Sequence, residues 1–220
     1  MKYLMTLLFL LCFSIFATSQ VITSEEMDDL LNSSEIQVDN PVISNFLHIR
    51  QIDQANTFTA IQNQQGSMQN NILANQNGTG NSGYIEQTGS GSETYLWQYK
   101  SSNEANLWSE GDNIKIEVKQ DGTSNTINSF VQNYYLESRA ALLTQNGNNN
   151  RIDLAVFGNE IPSSSDAQTI SITQTGNNNG VEAFLENTFS PIQITQTPGV
   201  NGEGMQINIS NSAFSFPMKN

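Results

Sequence analysis

The chain of 220 residues carries 21 acidic against 8 basic side chains, a formal net charge of −13, and Asn and Gln fill 48 of its positions. That charge speaks against nucleic acid as a partner, because phosphate contacts need Lys and Arg. Cys12 is the only cysteine, which excludes disulfide staples and thiolate metal sites.

The first element is an export leader, residues 1–19. Lys2 supplies a positive start, Leu4 to Phe16 form an apolar run broken only by Thr6 and Ser14, and Ala17-Thr18-Ser19 places small residues where signal peptidase reads. Cleavage is expected before Gln20, giving a secreted chain. A membrane helix would need about 20 apolar residues, and Leu10-Leu11 stand before Cys12 where a lipidation signal has small residues. Residues 20–44 follow as an acidic segment. Thr23-Ser24-Glu25-Glu26 has the form of a capping box, with Met27, Leu30 and Leu31 at helical spacing. A short helix, a secretion-recognition segment, a cap and a disordered stretch all fit it.

From residue 45 to 207 the chain repeats. Gln followed five positions later by Asn occurs at Gln51/Asn56, Gln76/Asn81, Gln98/Asn103, Gln120/Asn125, Gln145/Asn150, Gln174/Asn179 and Gln196/Asn201. Successive Gln residues are 25, 22, 22, 25, 29 and 22 apart, an underlying period of 22 with insertions. Periods of this size mean stacked architectures. Gly78, Gly122, Gly147 and Gly176 stand two after their Gln, where a tight turn suits glycine. The Gln-to-Asn spacing is constant, and the insertions at 63–69, 132–138 and 157–167 fall between units.

Inside each unit apolar residues alternate with period two, as strands require. The stretch 114–120 turns Ile114, Ile116, Val118 and Gln120 inward and Lys115, Glu117 and Lys119 outward. Two strands per unit predict fourteen in all, the last pairing Glu203 and Met205 inward. The fold expected is all-β: a two-sheet, amyloid-like β-solenoid of seven stacked strand-turn-strand repeats. The fourteen aligned amides would face inward, each bonding its equivalent above and below, since an unpaired buried amide costs about 1–3 kcal/mol. Residues 208–220 read as a tail, with Ile209, Phe214 and Phe216 before a stop at Pro217.

Other motifs have ordinary readings. Gly78-x-Gly80-x-x-Gly83 has dinucleotide-binding spacing, but Tyr84-Ile85-Glu86 continue a strand and no helix follows. His48 is the only histidine, placed outward, so no triad or histidine metal cluster can assemble. Glu86, Glu93, Glu117, Asp153 and Glu182 are scattered over outward positions, unlike the paired carboxylates of a glycosidase. No catalytic, cofactor or metal site is expected. Tyr95, Trp97, Trp108, Phe130 and Phe184 also face outward; they fit lateral packing of fibres, a glycan surface or scattered surface hydrophobics.

The unit resembles the curlin repeat, Gln-x-Gly-x-x-Asn followed by a small or apolar alternation and a second Gln, over about residues 45–207. The resemblance implies a subunit of extracellular curli-type amyloid fibres used in adhesion and biofilm formation. Its implied partners are further copies of itself, other curlin subunits and an outer-membrane secretion channel. The chain departs from the pattern in its second strands: the Gln is present at Gln62 and Gln87 and becomes Ser109, Val131, Val156, Leu185 and Ile207, while Arg139 stands at an inward position. Major subunit and nucleator both remain open. The rival readings are a capped monomeric adhesin or ligand-binding solenoid and a carbohydrate-active β-helix enzyme.

Overall fold

A computed structural model describes residues 45–66, 68–111, 113–133, 138–157, 168–185, 191–198 and 204–210. The leader, the segment 20–44, Asn201 and the tail from residue 211 lie outside the described residues.

Eleven strands are present among them: β1 Phe46–Ile52, β2 Thr57–Gln64, β3 Asn71–Thr79, β4 Ser82–Gly89, β5 Glu93–Ser101, β6 Glu104–Ser109, β7 Ile114–Thr123, β8 Thr126–Asn128, β9 Arg139–Asn146, β10 Gln168–Thr175 and β11 Ile192–Gln196. They form a parallel β-solenoid of about six turns. One sheet has seven strands in the order β1-β3-β5-β7-β9-β10-β11, and the other has four in the order β2-β4-β6-β8. Every neighbouring pair in the first sheet is in register on the repeat Gln, from Gln51↔Gln76 to Gln174↔Gln196.

The period-two pattern explains this register. A one-residue slip would turn a whole apolar row to solvent. Ile72, Leu96, Ile116, Leu143 and Ile172 of the first sheet meet Ile85, Leu107 and Ile127 of the second in one core. In β7 the alternation is complete, with Ile114, Ile116, Val118 and Gln120 buried while Lys115 and Lys119 are exposed.

Two expectations need correction. Fourteen strands were expected, but among the described residues the second sheet ends at β8, and an isolated bridge joins Thr126 to Arg151 beyond it. Positive φ at Asp153, Leu154, Val156, Phe157, Ala183 and Phe184 breaks the pleat there, so Ile152 to Val156 are buried in succession instead of alternating. Asp153, expected outward, is only 5% exposed and pairs with Arg151.

The second-strand Gln first gives way at Ser109, and the pleat is lost two layers beyond it. Gln62 Nε2 donates to Gln87 Oε1 at 3.0 Å and to the Phe46 and Asn70 carbonyls, while Gln87 ties its strand to Asn71 O and Ser92 O. Ser109 on the next layer is buried with an unpartnered hydroxyl, and Val131, Val156 and Leu185 carry no polar group to anchor a strand.

The second correction concerns the final turn. The residue stacked beyond Asn179 is Met205, whose N–H donates to Asn179 Oδ1 at 3.0 Å and whose carbonyl accepts Gly180 N at 2.9 Å. The spacing from Gln196 to this rung is therefore nine residues, against five in the repeat. Ile207 and Ile209 pack on the core, whereas Met205, expected inward, is 44% exposed, and Glu203 lies outside the described residues.

Candidate functional site

The repeat amides assemble into two ladders running the length of the stack. Along the first, each Gln Nε2 donates to the Oε1 of the next: Gln51 to Gln76 at 2.6 Å, Gln76 to Gln98 at 2.7 Å, Gln98 to Gln120 at 2.8 Å, Gln120 to Gln145 at 3.0 Å, Gln145 to Gln174 at 2.9 Å and Gln174 to Gln196 at 2.7 Å. The remaining hydrogen goes to backbone: Gln98 to Ser82 O and Asn103 O, Gln120 to Glu104 O and Asn125 O. From Gln76 to Gln196 these side chains are fully buried, so each bond offsets a desolvation cost of about 1–3 kcal/mol.

The asparagine ladder runs the opposite way. The backbone N–H of each Asn donates to the preceding Oδ1: Asn81 to Asn56 at 2.9 Å, Asn103 to Asn81 at 3.0 Å, Asn125 to Asn103 at 3.2 Å, Asn150 to Asn125 at 3.1 Å and Asn179 to Asn150 at 3.0 Å. From Asn103 onward the side-chain Nδ2 donates to the same oxygen. The Nδ2 groups also clamp the turn of the following layer at Gly78 O, Lys100 O, Gly122 O, Gly147 O and Gly176 O. Layers are thus stitched by backbone, by Gln in one direction and by Asn in the other. Of the fourteen expected ladder residues, thirteen take these positions; Asn201 lies outside the described residues.

Other rungs lie outside the Gln-to-Asn spacing. Asn70 repeats the asparagine geometry in the opposite turn, accepting Ser92 N at 2.9 Å and donating to Gly89 O at 3.0 Å. Asn148 and Asn177 form a third, exposed column, with Thr123 N on Asn148 Oδ1 and Asn148 N on Asn177 Oδ1, both at 2.9 Å. The adjacent Asn triplets 148–150 and 177–179 are the signal for it.

The outward aromatics form a column of their own. Ring centroids of Trp108 and Phe130 are 4.5 Å apart, Phe130 and Phe157 5.3 Å, and Phe157 and Phe184 5.4 Å, the last two pairs edge to face. Phe157 joins because the positive-φ stretch moves it two residues out of the repeat phase and into line. Phe130, expected outward, is sandwiched and only 5% exposed. Rings tilted against one another pack together and present no flat platform for a sugar.

On the first sheet Tyr95 stacks on Trp97 at 6.0 Å beside Lys115. Burial, followed by the charge of Glu93, pushes the Tyr95 hydroxyl up to about 12, and the hydrogen bond to Glu86 raises Tyr84 to about 12. Between about pH 10 and 12 the unfolded chain releases these protons while the folded chain keeps them. Stability should therefore fall as the pH rises through that window. Urea unfolding at graded pH checks this, and the fall should shrink in Tyr95→Phe.

His48 is half-buried, and among the described residues no group of three or more His, Cys, Asp or Glu could hold a metal ion. Gly78 and Gly80 bend a turn at positive φ while Gly83 lies within β4. Buried Arg139 stands in register between Ile114 and Gln168. No family model, curated protein or solved structure matches this chain.

Proposed function

We propose that the chain is a structural subunit of extracellular, curli-like amyloid fibres, secreted through its leader and self-assembling by end-to-end β-stacking for adhesion and biofilm formation. On this reading the Gln rungs from Gln51 to Gln196 mark seven stacked repeats, and its partners are further copies, other curlin subunits and an outer-membrane secretion channel. It acts by polymerising and performs no catalysis.

The observation that carries the reading is the uninterrupted, in-register Gln ladder ending at an edge strand. β1 begins the seven-stranded sheet, and its inward-phase residues Leu47 and Ile49 are 47% and 39% exposed. A parallel edge with apolar side chains and an amide rung is a template for another strand of the same pattern.

Incubating the purified mature chain tests it. Fibres with a meridional reflection near 4.8 Å are expected. A chain that stays monomeric for days would sink the proposal and leave a capped monomeric adhesin as the better account.

A further inference from the structure

The two ladders give the ends of the stack different faces. Gln amides donate toward the C-terminal end, so Gln51 Oε1, on an exposed residue, accepts no hydrogen bond among the described residues. At the other end Gln196 Nε2 has no further Gln and spends its hydrogens on Gly180 O at 2.8 Å and Met205 O at 2.7 Å. The asparagine ladder needs an Oδ1 beneath each arriving Asn. Met205 reproduces the backbone bonds of an asparagine rung, but its side chain, 44% exposed, ends in a thioether with no oxygen to offer.

We infer that Met205 terminates the asparagine ladder and makes the C-terminal layer the weak joint between this chain and a second copy of itself. The inference rests on the fibre reading. The second copy arrives head to tail, its N-terminal edge on this C-terminal layer. N-terminal faces meeting each other would oppose two Gln acceptors, and C-terminal faces two donors. At the head-to-tail joint one hydrogen of Gln196 Nε2 turns to Gln51 Oε1 of the newcomer, sharing its carbonyls as Gln98 and Gln120 do within the chain. The newcomer's Asn56 N–H and Nδ2, which inside the stack would meet an Oδ1, meet the methionine side chain. The layer is thin in backbone bonding as well: β11 has 5 residues, and the second sheet has no strand beside it among the described residues. Each joint therefore lacks two hydrogen bonds that interior layers possess, and growth and breakage concentrate there.

The experiment compares the critical concentration for fibre formation of the mature chain with those of Met205→Asn, Met205→Leu, Asn56→Ala and the double variant Met205→Asn/Asn56→Ala. Asparagine restores the missing oxygen and amide, so the critical concentration should fall about tenfold, the worth of one to two net hydrogen bonds. Leucine, of similar size and without an amide, should leave it unchanged. The gain from asparagine, measured against Asn56→Ala alone, should shrink when residue 56 is alanine, because the Nδ2 donor is lost while the backbone N–H remains. A Met205→Asn value equal to wild type overturns the inference, as does an equal gain from leucine or a gain undiminished by Asn56→Ala. If neither chain forms fibres under any condition, the fibre reading itself fails and takes this inference with it.

Discussion

Gln120→Ala is expected to destabilise the solenoid by about 3–5 kcal/mol, while Lys119→Ala, one residue away, should change it by no more than about 0.5 kcal/mol. Gln120 is fully buried. Its loss removes the acceptor of Gln98 Nε2 and the donor to Gln145 Oε1, and leaves the Glu104 and Asn125 carbonyls short of a partner. Alanine also opens a cavity that neighbouring layers cannot close, since their spacing is held by the strand ladder. The Lys119 side chain is exposed. Denaturant unfolding followed by circular dichroism measures both variants. Equal midpoints would mean that the Gln ladder contributes no more than a solvated outward row, and the functional reading would lose its main support.

The second large effect is expected at a glycine. At Gly122 φ is +153°, and an added Cβ would lie 1.7 Å from Gly147 O and 2.9 Å from Asn125 Nδ2. Both neighbours belong to the stack: Gly147 O accepts Asn125 Nδ2, so relieving the clash breaks an asparagine rung. Gly122→Ala should cost at least about 3 kcal/mol. Gly80 is the contrast. Its φ is +70°, but the nearest atom to a Cβ is Ser102 Oγ at 3.9 Å, so Gly80→Ala meets backbone strain without collision and should cost about 1–2 kcal/mol. Thermal melts of the two variants separate close approach from conformational preference; similar shifts would show that turn strain alone matters.

Much of this architecture was legible in the residues because a parallel stack converts sequence period directly into spatial register. Gln98 lies over Gln120 for the same reason that Leu96 lies over Val118: a one-residue slip would bury charges such as Lys119. The second strands were less legible. Val131, Val156 and Leu185 satisfy an apolar alternation as well as any strand does, yet a hydrophobic side chain gives no directional bond to hold the pleat. The chain there takes positive φ and moves Phe157 into the aromatic column.

The sequence by itself determined the layer repeat, the inward rows and the amides that stack, since all three follow from spacing and polarity along one strand. Tertiary structure alone decided the direction in which each amide points, the early end of the second sheet and the placing of Met205 beyond Asn179. An isolated Gln or Asn side chain has no preference between its two amide orientations. The choice is made by the carbonyls of the adjoining layers, such as Ser82 O in the preceding layer for Gln98 and Gly122 O in the following one for Asn103. Likewise Asn201 satisfies the spacing rule, but it is Met205 whose N–H meets Asn179 Oδ1, with Ile207 and Ile209 packed on the core beyond it.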